Sequence, residues 1–408
     1  MATTSNKKMA SPSPITDVPD HLLAEIFLRL PTPEDLARAS AVCQTFRRIS
    51  TDRTFLRCFR CLHAPPLLGF LDRDGFHPVL PSTPAVRALE AAADFTFSFL
   101  PYHRRWTMQD VCDGRVLLAR TIGEHGQPPT FKDLAVCDPL QRRYVLLPPL
   151  PHGLAASVKH PIPPVTVSKA CWDCFLAPLG EEEAAAGATT FRVILMARCV
   201  TSLAAFVFSS STDQWQAAPS TDFSDFALDK RDMEEMSSVQ HYIPRRHYSY
   251  GCFYWDWVYF GLKKLLLLDT TKMEFSTADL PPGEWSNQGI AIVEAGEGRL
   301  GFFGFRGDTS SDLSYIIART KGESPTQWQM EKTISVDSGC KYCIRDATQR
   351  FLLLTRIEAL ENRLVVGYFS MDVKMLQLQR VYEGHCYSNY QTYIYINFPP
   401  SLMSSRRI

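Results

Sequence analysis

Between Ile15 and His63 apolar residues recur at three- and four-residue intervals, and from about Val111 onward the chain changes to short apolar runs broken by turn residues. A stripe laid down at the helical period cannot stay on one face of a strand, nor the reverse, so the change marks a small helical unit followed by a larger β-rich one. The length, 408 residues, agrees with two units, because one core rarely serves so long a chain outside a closed repeat architecture.

In the helical part Val18, Leu22, Leu23, Ile26, Phe27 and Leu30 fall on one broad helix face, which Pro31 ends. Thr32 then reads as a cap, Pro33 as the first helical residue, and Glu34 and Asp35 as acids at the positive end of the dipole, with Leu36 and Ala39 inward. Ser40 reads as the cap of a third helix in which Val42, Phe46 and Ile49 line one side and Arg47 and Arg48 face water. Three helices this short bury too little apolar surface to offset the ordering of their backbone. The remaining apolar face needs a cover, either the downstream domain, which the helices would then cap, or another protein.

The β-rich part carries a weak internal repeat. Segments 134–147, 205–216, 265–277 and 365–379 each place an apolar strand, a polar turn and a second strand start in that order. In the first three the turn opener and the following aromatic are equally spaced: Asp138 with Tyr144, Ser209 with Trp215, Asp269 with Phe275. Further strand-like runs lie between them, at 115–120, 191–197, 251–259, 299–305, 315–319 and 351–356. This spacing suits the four-stranded blades of a β-propeller, about six of them, with a β-sandwich as the competing all-β architecture. The expected organisation is a disordered tail over 1–14, a helical module over 15–63, a linker and packing segment over 64–110, and a propeller-like domain over 111–408. Inserted loops are expected near 181–189, rich in acid and alanine, and near 221–247, charged and ending in Pro244-Arg245-Arg246-His247.

Several functions are disfavoured at once. Lysines plus arginines equal aspartates plus glutamates at 43 each, leaving no net field to hold nucleic acid or an anionic membrane. The first residues lack the apolar core of a secretory signal and no run of about 18 apolar residues occurs, so a soluble protein of the cytoplasm and/or nucleus is expected. The twelve cysteines are expected to be reduced thiols. Cys58 with Cys61, Cys171 with Cys174 and Cys340 with Cys343 have zinc-pair spacing, but no tight turn or second pair accompanies them, and His63 beside the first pair still leaves a fourth ligand missing. No metal and no cofactor are expected. Gly296-Glu297-Gly298-Arg299-Leu300-Gly301 matches the dinucleotide fingerprint in letters only, because an apolar strand follows where a helix should open, and a hairpin turn is the reading. The turn from Ser209 to Trp215 departs from a sialidase aspartate box, with Asp213 and Gln214 in place of the glycine before the Trp, and His103 and His385 are lone histidines. No catalytic residue is assigned.

The charged insertion before the aromatic run 248–259 has the composition of a protein-binding hot spot, so Arg245 and Arg246 are candidate substrate contacts on the propeller rim. Phe253, Trp255 and Trp257 are expected to alternate inward as blade core.

The stretch Asp17-Val18-Pro19-Asp20-His21-Leu22-Leu23-Ala24-Glu25-Ile26-Phe27-Leu28-Arg29-Leu30-Pro31, followed by Leu36-Ala37-Arg38-Ala39-Ser40-Ala41-Val42-Cys43-Gln44-Thr45-Phe46-Arg47-Arg48-Ile49, resembles an F-box. It departs from the family pattern at Val18, where Leu is commoner, and at Phe46, where Trp is commoner. The resemblance implies a bundle that binds a Skp-type adaptor and, through it, a cullin. Val18, Pro19, Leu22, Ile26, Leu30, Pro31, Leu36, Val42, Cys43 and Phe46 would supply the contact surface and its immediate support. A looser resemblance, carried by Cys112-Asp113-Gly114-Arg115-Val116-Leu117-Leu118, Val136-Cys137-Asp138-Pro139 and Tyr250-Gly251-Cys252-Phe253-Tyr254-Trp255, is to the F-box-associated β-propeller of plant F-box proteins. Together they imply a non-catalytic substrate receptor of a cullin-type (SCF) ubiquitin ligase that binds a protein substrate. An adaptor-binding scaffold without ligase activity and a propeller enzyme with packing helices are the alternatives.

Overall fold

The structure, a computed structural model, describes residues 18–63, 65–102, 105–120, 133–158, 172–178, 190–199, 201–226, 245–256, 264–307, 312–319, 327–336, 340–360, 363–384 and 391–396. The tail 1–14 and the insertion 181–189 lie outside the described residues. The chain divides into two compact units, Met1–Pro66 and Leu67–Ile408. Among the described residues no helix is long and apolar enough to cross a membrane.

Among the described residues the first unit holds four helices: α1 (Asp20–Leu28), α2 (Pro33–Ser40), α3 (Gln44–Ser50) and α4 (Arg53–Leu62). Thr32 caps α2 as the sequence predicts, its Oγ1 accepting the Asp35 N–H at 3.1 Å, with Pro33 in the first turn. Ser40 does not open α3. Its hydroxyl donates back to the Ala37 carbonyl at 2.6 Å and closes α2, and α3 starts after Cys43. The fourth helix is absent from the sequence reading, although Asp52 caps it by accepting the Phe55 N–H at 2.9 Å. Phe55 and Phe59, one turn apart, join Leu23, Phe27, Leu36, Phe46 and Ile49 in a single core. Phe27 meets Phe46 edge-on at 5.0 Å and Phe55 at 6.5 Å, each buried ring contributing about 1.5–3 kcal/mol. The His63 ring lies 4.1 Å from Phe59 and its Nε2 is 2.7 Å from the Leu28 carbonyl, so the imidazole near Cys58 ties α4 to α1.

The second unit is a six-bladed propeller. Blade one comprises Trp106–Cys112, Arg115–Arg120, Asp133–Asp138 and Arg143–Leu146; blade two Trp172–Ala177, Arg192–Arg198, Ser202–Ser209 and Gln214–Ala217; blade three Arg246–Ser249, Cys252–Asp256, Lys264–Asp269 and Glu274–Asp279. Blade four comprises Trp285–Glu294, Leu300–Arg306, Asp312–Arg319 and Gln327–Ser335, and blade five Tyr342–Ala347, Phe351–Leu360, Arg363–Asp372 and Gln377–Gly384. Every neighbouring pair is antiparallel. Blade six is composite: Tyr393–Ile396 from one end of the propeller pairs with Leu67–Asp72 from the other, which pairs in turn with Gly75–Pro78. This pairing closes the ring and leaves no place for a sandwich. Segment 64–110 is therefore not a linker throughout. It supplies two strands of blade six, the helix Pro84–Ala92, whose Val86 and Leu89 are buried beside that blade, and the start of blade one.

The recurrent turn has a physical origin. It joins the third and fourth strands of blades one, two, three and five, and at one position in each it carries a residue with positive φ: Arg142 at 51°, Asp213 at 57°, Met273 at 57° and Leu376 at 54°. The opener holds the turn from its side chain, as where Asp269 Oδ1 accepts the Thr271 and Lys272 N–H groups at 2.8 and 3.0 Å, and Asp372 Oδ1 the Lys374 N–H at 2.9 Å. First and second strands are joined at Asp113-Gly114 and Tyr250-Gly251 by two-residue turns with positive φ at both positions. Gly296, Glu297 and Gly298 likewise take positive φ, in the hairpin between the first two strands of blade four.

Blades stack face to face, so their middle strands are covered on both sides and read as unbroken apolar runs. Val116 to Ala119, Leu352 to Leu354 and Phe302 with Phe303 are all buried. Phe253 and Trp255 are buried as expected, Tyr254 between them is buried too, against simple alternation, and Trp257 lies outside the described residues. Alternation appears in first and fourth strands, as in Arg246–Ser249, where His247 and Ser249 are buried, and in exposed Gln214, buried Trp215 and exposed Gln216.

Candidate functional site

Two features can recruit other molecules: the apolar surface of the helical unit and the axial cavity of the propeller. On α1, Leu23 and Phe27 point into the core while Leu22 and Ile26, one turn apart, remain 42% and 47% exposed. Val42, expected on one side of a third helix with Phe46 and Ile49, is 68% exposed, because it precedes α3 instead of lying within it. Pro19 and Pro31 are also exposed, Val18, Leu30 and Cys43 are intermediate, and Leu36 and Phe46 are buried. The residues named from the F-box resemblance thus divide into an exposed set, Pro19, Leu22, Ile26, Pro31 and Val42, and a supporting set led by Leu36 and Phe46.

At the propeller axis, the first strands of successive blades face one another with polar side chains. Arg246 of blade three is held by Asp110 of blade one at 2.7 Å and by Asp173 of blade two at 2.9 and 3.0 Å. Asp110 also accepts the Leu176 N–H at 2.7 Å, and Asp173 accepts from Trp255 Nε1 at 3.2 Å. Burial pushes the Asp110 carboxyl upward, against the downward pull of Arg246. Gln288 of blade four donates to the Tyr342 carbonyl of blade five at 2.5 Å. Asp346 of blade five accepts the Ile394 N–H of blade six at 2.6 Å, and Tyr393 of blade six donates to the Gln109 carbonyl of blade one at 2.5 Å. Polar side chains thus stitch neighbouring blades through main-chain groups that no strand ladder reaches. Burial raises Asp346 to about 7 although Ile394 and Ala347 N–H groups oppose it. His247 is buried and driven down to about 3, by burial first and then by Arg245 and Arg246. A cavity of about 190 Å³ lies among the first strands of blades one, two, three, five and six, and reaches the surface at Asp113, Gln349 and Gln391.

These positions correct the rim assignment of Arg246, whose side chain is 6% exposed and engaged by two carboxylates. Arg245 is half-buried and lines the axial cavity, so it too leaves the rim. Nor is 221–247 an insertion throughout. Thr221 and Asp222 pair with Leu203 and Ser202, and Phe223 and Phe226 are buried in the core shared by blades two and three. Residues 227–244 lie outside the described residues. The sequence reading gave no role to Asp110, Asp173, Asp346 or Tyr393. A usable signal was present where a charged residue interrupts an apolar first strand, as Asp173 does between Trp172 and Cys174.

Residues 15–62 match the F-box-like family. No curated protein matches the chain. Among solved structures the chain is similar to an exo-β-1,3-galactanase from Clostridium thermocellum, at 8% identity over 68% of this chain and 61% of that one, with a TM-score of 0.34. It is similar to a glycoside hydrolase at 11% identity over 70% and 63% of the two chains, TM-score 0.29, and to a protein from Lactobacillus plantarum at 7% identity over 70% and 86%, TM-score 0.33. The chain spans less than two thirds of the length of either hydrolase. The molecule is thus an F-box-like helical domain followed by a six-bladed β-propeller. F-box domains generally bind Skp-type adaptors.

Proposed function

We propose that this protein is the substrate-recognition subunit of a cullin-type (SCF) ubiquitin ligase, its helical unit binding a Skp-type adaptor and its propeller a protein substrate. The observation that carries this reading is the division of the F-box-like helices into a closed core and an exposed apolar set, Leu22, Ile26 and Val42, on a segment that matches the F-box-like family. Apolar side chains at these exposures are covered when a partner's helices complete the core, the mode by which amphipathic helices dock in grooves. The protein contributes no bond-making group in this reading. It raises the effective concentration of substrate lysines near the charged ubiquitin carrier.

The test is size-exclusion chromatography of the purified chain with the adaptor, and then with adaptor and cullin together. Co-elution of all three supports a ligase subunit. Co-elution with the adaptor alone would make the protein a scaffold, and elution apart from both would end the F-box reading.

A further inference from the structure

Among the described residues, the axial cavity holds a guanidinium that no ion pair engages. Arg246 has Asp110 and Asp173, whereas the side chain of Arg245, in the same cavity, has neither a carboxylate within ion-pair distance nor a hydrogen-bond acceptor among the described residues. Its position is built into the backbone. Gly289, at φ +96° in blade four, is the residue over which the guanidinium lies, and a Cβ there would come within 2.8 Å of Arg245 Nη1 and 3.1 Å of the Ile344 carbonyl. The acid that acts on Arg245 is Asp346, but both its oxygens are occupied by main-chain N–H groups, Ala347 at 2.8 Å and Ile394 at 2.6 Å. A half-buried guanidinium without an ion-pair partner, at the wall of a cavity that opens to the surface, is free to meet an anion that enters. Its planar fork matches a carboxylate, two N–H groups to two oxygens.

The rest of the lining includes apolar side chains, among them Val111, Leu176, Phe253 and Ile394. A volume of about 190 Å³ is close to the roughly 150 Å³ that accepts one benzene ring. We propose that the axial cavity binds a small organic monocarboxylate, with its carboxylate on Arg245 and its apolar body against Leu176, Phe253 and Ile394. The inference does not depend on the receptor reading, since it concerns a small ligand in the propeller alone.

The test is titration of the full chain with benzoate, followed by calorimetry and by melting temperature, with inorganic phosphate and uncharged benzyl alcohol in parallel. Saturable benzoate binding is expected, with benzyl alcohol and phosphate at least about tenfold weaker, a difference the lost ion pair or the lost apolar contact can supply. Arg245→Met should weaken benzoate by about tenfold or more, and Arg245→Lys, which keeps the charge but not the fork, by an intermediate factor. Circular dichroism checks that each variant folds, and if Arg245→Met does not, Arg245→Lys decides. No saturable benzoate binding, phosphate binding as tight as benzoate, or unchanged affinity in the folded variants would overturn the proposal.

Discussion

Arg246 Nη2 lies 2.7 Å from Asp110 Oδ1, a contact that ties blade three to blade one past the blade between them. Asp173 of that intervening blade takes the other side of the same guanidinium. Three blades therefore share one buried cation, and cutting it out leaves two carboxylates without their counter-charge in a low-dielectric site, held only by the Leu176 and Trp255 N–H groups. Arg246→Met should lower unfolding free energy by about 3–5 kcal/mol, read by urea denaturation. Adding Asp110→Asn and Asp173→Asn to that variant should recover part of the loss, because it is the stranded charge that costs most. A triple variant no more stable than the single one would contradict this.

Stability should also depend on pH through Asp346. Its folded pKa is raised to about 7 by burial, against an unfolded value of about 3.9, so between those values the native state holds a proton that the unfolded chain releases. Its contribution is full below the unfolded value and is lost as pH rises through 7. His247 acts in the opposite sense: depressed to about 3, it contributes fully above about 6.5 and loses that contribution as pH falls. In Asp346→Asn the first effect disappears. The variant's stability deficit relative to wild type should shrink by on the order of 2 kcal/mol between about pH 5 and pH 8, measured by denaturant titration at both. A deficit that stays constant would remove Asp346 from the account.

Core and surface of the helical unit should separate on mutation. Phe46→Ala empties a site that Phe27 closes edge-on and should cost about 3–5 kcal/mol, visible as lost helical circular dichroism. Leu22→Ala with Ile26→Ala removes only exposed groups and should leave the helical signal unchanged while weakening the adaptor.

Ring closure rests on a short contact. Tyr393–Ile396 pairs with Leu67–Asp72, and Tyr395 adds a hydrogen bond from its hydroxyl to the Gly114 carbonyl of blade one at 2.8 Å. Ending the chain at Gly384 strips one of the two partner strands from Leu67–Asp72, leaving Gly75–Pro78, and should expose the bared edge to limited proteolysis. Tyr395→Phe should be far milder, about 1 kcal/mol. Equal protease resistance of the truncated and complete chains would show that closure does not depend on this pairing.

Much of this was legible in the residues. Thr32-Pro33 announced its helix by cap chemistry, and the spacing from Asp138, Ser209 and Asp269 to Tyr144, Trp215 and Phe275 marked a real turn repeated between outer strands. The misses have physical causes. Val42 looked like part of a helix with Phe46 and Ile49 because a stripe of apolar letters does not say where a helix begins, and Ser40 served the preceding helix instead of the next. Arg246 looked like a surface residue because it follows a charged segment, while its partners Asp110 and Asp173 stand far away in sequence. Leu67–Asp72 looked like a linker because its partner strand lies at the far end of the propeller, a pairing that local pattern cannot display.

The most direct test of the account is calorimetric titration of the full chain with the Skp-type adaptor, for wild type and for Leu22→Asp with Ile26→Asp. The account predicts saturable binding of one adaptor per chain by wild type, and a loss of at least about tenfold in the variant, whose charges would be desolvated at the contact. A control change of Met375, a more exposed apolar residue in the propeller, to Asp should bind as wild type does. Absence of binding by wild type, or equal affinity in the helical variant, would contradict the claim that these helices are the docking face.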